Sequence, residues 1–134
     1  MIDPEELLYT LLKRGKPDGS TVAPETDLDS IDSLPLVLYD VIGDGQDGNG
    51  PGLWNVTLNL SVIGATLDDA RTTARAFYDL VWSWNDDPEA ATVDGVGTVS
   101  SVADASLFSR QPSSDIAVHD ITQYDGSFDL QLRN

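Results

Sequence analysis

The sequence predicts one α+β domain, with a mainly antiparallel sheet packed by two helices and a long β-hairpin loop. The prediction rests first on residues 54–62, where apolar side chains alternate with small polar ones. That alternation is typical of a strand with one buried face. It rests second on residues 67–84, where apolar side chains recur at helical spacing. A length of 134 residues fits a single domain that spans residues 1–134.

The first predicted element is a short helix near the N-terminus. Asp3 is a suitable N-cap, Pro4 suits the first helical position, and Glu6 lies three residues after the cap. Four leucines form its apolar face: Leu7, Leu8, Leu11 and Leu12. Two basic residues follow them, and Gly15 ends the helix.

A strand is predicted at residues 34–42, and its many apolar side chains indicate burial on both faces. Pro35 should lie at its start or on an edge, because proline cannot donate a backbone hydrogen bond. Before this strand we expect at most a short strand at residues 21–22. After it comes a glycine-rich decapeptide at residues 43–52, which predicts the tip of a long hairpin.

The second predicted helix begins after Thr66, which can act as its N-cap, with Asp69 three residues further on. It should end shortly before Pro88, after about five turns. Residues 93–102 then predict one strand or a pair of strands, interrupted by glycines.

The C-terminal part contains the closing strand. Residues 106–116 are ambiguous between strand and loop, and residues 121–124 predict a short strand. Asp125 and Gly126 form a typical turn pair, so a turn is expected there. Residues 127–133 alternate again and predict a last strand, which gives the element order α-β-β-α-β-β-β.

The composition excludes several classes of function. The chain carries 23 acidic and 7 basic residues, a net charge of −16, which repels nucleic-acid phosphates. It contains no cysteine, so disulfides and thiolate metal sites are ruled out. Its apolar runs are far shorter than the roughly 20 residues of a membrane-spanning helix, so no membrane partner is expected.

The acidic glycine-rich loop has two interpretations. Asp44, Asp47 and Asn49 offer oxygen ligands of the kind that calcium prefers. The spacing does not match an EF-hand, and Pro51 follows where a further ligand would stand. The loop is therefore either a polar turn or a calcium site of another kind.

No catalytic group of residues is recognisable. His119 is the only histidine, and no Gly-x-Ser-x-Gly segment surrounds any serine. We therefore expect neither an enzyme nor a cofactor, and the interpretation turns to surfaces that contact other proteins.

Arg71 and Arg75 lie four residues apart on the helix face opposite the apolar stripe. They could pair locally with Asp68 and Asp79, or they could contact acidic groups of a neighbouring subunit. Trp82 also points away from the stripe, so it either contacts a partner or covers the loop after the first strand.

Four segments resemble the tail terminator (tail completion) proteins of long-tailed, non-contractile bacteriophages. They are the first helix with its basic end, the Leu-Pro-Leu-Val-Leu strand at residues 34–38, the strand and helix of residues 54–84, and the Tyr-Asp-Gly-Ser-Phe-Asp-Leu-Gln-Leu-Arg ending at residues 124–133. Within the third segment, Thr-Leu-Asp-Asp-Ala-Arg forms the junction of strand and helix at residues 66–71. The segments span most of the chain, and none is a catalytic signature.

The resemblance implies a virion protein of the tail neck, made in the host cytoplasm. Such proteins form a hexameric ring on the last ring of the tail tube protein, which ends tube polymerisation. The ring presents a joining surface to the head-side connector, or head-completion protein. Genomic DNA would pass through the lumen without specific binding, as an acidic lining would favour.

If the resemblance holds, the candidate site residues are contacts. The subunit or tube interface would use Arg71, Arg75, Trp82 and the polar strand face of Asn55, Thr57, Asn59 and Ser61. A loop between rings or subunits would use Asp44, Gln46, Asp47 and Asn49.

Two alternatives remain open. The chain could be a monomeric acidic module that binds calcium or a basic partner through the glycine-rich loop. It could also be another neck or tail component, such as a head-closure protein or a tube protein, since those share small β-rich folds.

Overall fold

The computed structural model describes residues 2–24, 34–46, 48, 51–111 and 122–134. In this part of the chain two helices accompany a mostly antiparallel sheet of six strands, which confirms the α+β class. The elements, in chain order, are α1 (Pro4–Gly15), β1 (Thr21–Pro24), β2 (Leu36–Gln46), β3 (Leu53–Gly64), α2 (Leu67–Asp86), β4 (Thr92–Val93), β5 (Gly97–Arg110) and β6 (Thr122–Arg133).

The strands lie in the order β1-β2-β3-β6-β5-β4. β1 pairs with β2 in parallel, and the other neighbours pair antiparallel. β3 and β6 therefore occupy the centre of the sheet, where each is hydrogen-bonded on both sides. Because side chains alternate along a strand, every second residue of these strands faces the helices and the others face away.

The main core lies between the sheet and the two helices. α2 packs against β3, β5 and β6, while α1 packs against β2 and β4. Phe77 and Trp84 of α2 are buried on Leu58, Leu60 and Phe128 of the central strands. Burial of such side chains is the dominant favourable term in folding, so this helix-covered face supplies most of the stability. A second, smaller buried cluster consists of Ala23, Leu36, Leu38 and Ile63.

The helix starts agree with the sequence. The Glu6 backbone N–H donates to the Asp3 carboxylate at 3.1 Å, and the Asp69 N–H donates to the Thr66 hydroxyl at 3.1 Å. Each bond satisfies one of the N–H groups that a helix start leaves without a backbone partner. In the described part of the chain, neither helix combines the length and the apolar character that crossing a bilayer would require.

The first strands also follow the prediction, with later ends. β1 forms around the expected residues 21–22, and Pro35 immediately precedes β2. Residues 36–39 are buried on both faces of the sheet, as their apolar content indicated. β2 continues to Gln46, so the first glycines belong to the strand, with a register irregularity between Gly43 and Gly45. At Gly45 the φ angle is 101°, a conformation that favours glycine.

The predicted turn at Asp125 and Gly126 is wrong, because β6 runs through both residues without interruption. Gly126 has a packing role instead. A Cβ atom at this position would lie 2.9 Å from the ring of Phe108 on the neighbouring strand. Glycine inside a strand often marks such a close approach. Of the ambiguous residues 106–116, residues 106–110 belong to β5, and residues 112–116 lie outside the described residues.

Candidate functional site

The face of the sheet that points away from the helices is polar along β3. Asn55, Thr57, Asn59 and Ser61 share this face, as their alternation predicted, and all four are partly exposed. We call it the open face. The register places each of them opposite a polar residue of β6, in the pairs Asn55–Gln131, Thr57–Asp129, Asn59–Ser127 and Ser61–Asp125.

Hydrogen bonds connect these side chains laterally across the strands. The Thr57 hydroxyl lies 3.3 Å from an Asp129 carboxylate oxygen and 3.4 Å from one of Asp44. A hydroxyl has one proton, so it donates to only one of the two at a time. The Gln131 amide donates to the Asn55 carbonyl oxygen at 3.2 Å. The side chains of the open face are thus joined across the strands by hydrogen bonds.

Carboxylates give this face its charge. Asp40 and Asp44 project from β2, and Asp125 and Asp129 project from β6, so carboxylates flank the β3 residues on both sides. The Gln123 amide donates to Asp125 at 2.7 Å, and the Asn59 amide approaches Asp40 at 3.5 Å. A shallow polar depression of about 300 Å³ lies among these groups. Such a surface attracts cations and basic partners and repels phosphates.

A second surface lies on the other side of the sheet, where α2 crosses the ends of β5 and β6. Arg71 and Arg75 are exposed there, at the edge of a groove of about 390 Å³. Leu107 of β5 contributes an apolar side chain that is 66% exposed. The groove residues are Arg71, Ala74, Arg75, Tyr78, Asp79, Leu107, Phe108 and Tyr124. We call this surface the arginine groove.

Trp82 is held by its own chain. Its indole N–H donates to the Asp104 carboxylate at 2.9 Å, and the Tyr78 hydroxyl donates to the same carboxylate at 2.9 Å. The hydrogen bond from Tyr78 to Asp104 favours the protonated phenol and so raises the pKa of Tyr78, with partial burial adding to it. Trp82 is half-buried and fastens α2 to β5, so its proposed contact with another molecule would use only the remaining surface.

The predicted loop residues are divided between described and undescribed positions. Asp44 and Gln46 are exposed in β2, whereas Asp47 and Asn49 lie outside the described residues, as does His119. Among the residues that the structure describes, no three His, Asp or Glu side chains gather closely enough to hold a metal ion. Asp44 is therefore the one loop carboxylate among the described residues, and it already lies within hydrogen-bonding distance of the Thr57 hydroxyl.

The sequence reasoning missed the two partners of α2 on β5. Asp104 accepts hydrogen bonds from Tyr78 and Trp82 of α2. Leu107 and Phe108 complete the lining of the arginine groove. The one available signal was the apolar pair Leu107 and Phe108 within an otherwise polar stretch. Its meaning required knowing that β5 extends beside α2, which no local pattern indicates.

Comparison with known proteins gives a likeness of fold. No protein-family model matches the chain, and no curated protein matches it. The chain is similar to a chain in a solved structure described as the virion of a native gene transfer agent (GTA) particle. The likeness has a TM-score of 0.52 at 17% sequence identity, and it covers 95% of this chain and 84% of that chain. This chain therefore shares its fold with a protein of a virion particle.

Proposed function

We propose that this chain is a structural protein of a phage-like virion and that it forms the ring that terminates the tail tube. The observation that carries the proposal is the fold shared with a chain of a gene transfer agent virion over 95% of the present chain. The four sequence segments that resemble tail terminators narrow this to the end of the tube. The ring would contain six copies and would meet the tail tube protein on one side and the head-side connector on the other.

The two surfaces suit that role. A ring subunit needs contacts to its neighbours and a surface that tolerates passing DNA. The open face carries the carboxylates of Asp125 and Asp129 on β6, and a lumen lined by such groups would repel DNA phosphates. A structural role is also proposed in place of a catalytic one, because no segment of the sequence has the local pattern of a catalytic nucleophile, such as Gly-x-Ser-x-Gly.

The test is binding to the cognate tail tube. Purified protein carrying a gold label is mixed with tubes assembled from the tube protein, and the labelled complexes are imaged by electron microscopy. A terminator should appear at one end of each tube and should stop further growth when more tube protein is added. Light scattering of the protein alone and with tubes would give the number of copies in the cap.

Other outcomes would overturn the proposal in distinguishable ways. Label along the whole tube, or polymerisation of this protein on its own, would identify a tube protein. A protein that binds the connector but leaves tube growth unaffected would be a head-closure component. A strict monomer that ignores tubes and changes its tryptophan fluorescence on addition of calcium would favour the acidic binding module.

A further inference from the structure

Two exposed patches of this molecule are complementary in charge and both are partly apolar. The first is the arginine groove, where Leu107 lies beside Arg71 and Arg75. The second lies on β2, where Ile42 is 49% exposed between Asp40 and Asp44. Ile42 and Leu107 are the large apolar side chains that stand out as exposed among the described residues. Each patch thus combines an exposed apolar side chain with flanking charges, which are the parts of an apolar interface centre and its polar rim.

We infer that the arginine groove of one copy of this chain receives the Asp40–Ile42–Asp44 stripe of a second copy. The inference rests on the proposed function, and it names the contact by which neighbouring subunits join. Ile42 would enter the apolar part of the groove beside Leu107. The flanking carboxylates would meet the guanidinium groups of Arg71 and Arg75, whose forked donors suit carboxylates.

The stripe is arranged to act as a unit. Asp40 and Ile42 are two residues apart in β2, so they point to the same side of the sheet. The strand register is irregular between Gly43 and Gly45. The Asp44 carboxylate still lies on the open face, because it is 3.4 Å from the Thr57 hydroxyl. The groove volume of about 390 Å³ is large enough to accept a side chain the size of isoleucine.

Charge selects a second copy over other arrangements. The chain has only 7 basic residues against 23 acidic ones, and two of the seven flank the groove. A symmetric pairing of groove with groove would place Arg71 and Arg75 against their own counterparts, which costs free energy. Pairing of stripe with stripe would oppose carboxylates in the same way. The groove lining contains one carboxylate, Asp79, against two guanidinium groups, so of the three arrangements the head-to-tail one opposes the most unlike charges.

The positions of the patches allow each copy to use both at once. The stripe lies on the open face at β2, whereas the groove lies on the helix-covered side at β5 and β6. In the strand order, β2 and β5 are separated by three strand spacings, or roughly 14 Å. A head-to-tail contact between different patches builds a ring when its rotation closes, and a filament when it does not.

Engineered cysteines test the contact directly, because the chain contains no cysteine of its own. Ile42→Cys and Leu107→Cys proteins carrying different mass tags are mixed, free and with tail tubes, and oxidised. The expected product is a disulfide between the two variants, formed roughly tenfold faster than with control positions, since contact raises the local thiol concentration. Matched controls are Ala103→Cys, exposed on the open face, and Ser83→Cys, exposed on α2. Equal rates for the pair and the controls overturn the inference.

Charge reversal gives a second, independent readout. Arg75→Glu alone and Asp44→Arg alone should each weaken self-association roughly tenfold, because like charges then meet. An equimolar mixture should restore association, since the altered groove of one variant then faces the altered stripe of the other. In the mixed assembly the native groove of the Asp44→Arg variant receives the native stripe of the Arg75→Glu variant. That contact therefore keeps its native charges. A mixture no better than the separate variants contradicts the proposed pairing.

Failure of this inference differs from failure of the proposed function. If the inference alone is wrong, the native protein still caps tubes while the cysteine pair reacts no faster than its controls. If the function alone is wrong, the cysteine pair reacts quickly and the charge mixture associates, but tube ends remain unlabelled.

Discussion

The two faces of the sheet differ although they are built from the same strands. In β3, Leu58 and Leu60 are fully buried beneath the helices, while Thr57 and Asn59, which alternate with them, face outward. The inward residues contact many neighbours, and the outward ones mainly contact one another through hydrogen bonds. The comparison teaches that stability and surface chemistry are assigned to alternate residues, so one can change without the other.

The physical reason is the difference between the two kinds of contact. Burying a large apolar side chain contributes about 1.5–3 kcal/mol, and removing one also leaves a cavity. A hydrogen bond between exposed polar groups replaces bonds to water, so its net contribution is small. The open face can therefore carry a high density of carboxylates at a modest cost in stability, as long as the helix-covered face stays intact.

The largest expected effect comes from truncation on the helix-covered face. Phe77 is fully buried at the centre of the core, so Phe77→Ala should lower the free energy of unfolding by about 3–5 kcal/mol. Urea denaturation followed by tryptophan fluorescence would measure it. The matched control is Thr72→Ala, exposed on the same helix, which should change stability by less than about 0.5 kcal/mol. Similar losses of stability for both variants would contradict the assignment of stability to the side chains buried between helix and sheet.

The sequence predicted the parts of this comparison that depend on local periodicity. β3 and α2 show one apolar side each, and the structure buries those sides against each other. Their starts were also predictable, because Thr66 and Asp3 cap the helices through bonds to residues three positions away. Helices and strands that are determined by residues close in sequence can therefore be predicted from the sequence.

The rest could not be predicted, since it depends on contacts between distant residues. Asp125 and Gly126 are typical turn residues, yet both lie in β6, which pairs with β3, and Gly126 leaves room for the ring of Phe108. The sequence around Asp104 does not distinguish it from other surface aspartates, yet it accepts hydrogen bonds from Tyr78 and Trp82. The arginine groove likewise exists only because β5 extends beside α2, so sequence reasoning found its arginines and missed Leu107.

A second prediction sharpens the comparison within β6. Gly126 is buried on the helix-covered side, so Gly126→Ala should push against the Phe108 ring and cost about 1–3 kcal/mol. Combination with Phe108→Leu should cost less than the sum of the two single changes, because the smaller side chain makes room for the new methyl group. Thermal denaturation of the four proteins would measure this coupling. Strict additivity would show that the Phe108 ring is not what the new methyl group displaces.

The third prediction concerns the hydrogen bonds that Asp104 of β5 accepts from α2 on the helix-covered side. The hydrogen bond to Asp104 raises the pKa of Tyr78 above its usual value near 10. A pKa that is raised in the folded state contributes stability below the unfolded pKa, and the contribution is lost as the pH rises through the folded pKa. The stability difference between the native protein and Tyr78→Phe should therefore shrink above about pH 10.

Absorbance at 295 nm provides the direct measurement, because it follows ionisation of the four tyrosines. The difference between the titration curves of the native protein and Tyr78→Phe isolates the single group. Asp104→Asn should move that difference curve to lower pH, since a neutral amide is a weaker acceptor for the phenol proton. An unchanged curve in Asp104→Asn would show that burial alone controls this tyrosine.

The smallest expected effect is on the open face, and it is the strictest test of the comparison. Thr57→Val keeps the shape of the side chain and the preference for a strand, while it removes the hydroxyl that lies near Asp129 and Asp44. Both carboxylates keep access to water, so neither is left buried without a partner. The free energy of unfolding should change by less than about 0.5 kcal/mol, measured by urea denaturation. A loss of several kcal/mol would mean that the lateral polar network supports the sheet, and that the open face is constrained by folding as strongly as the face beneath the helices.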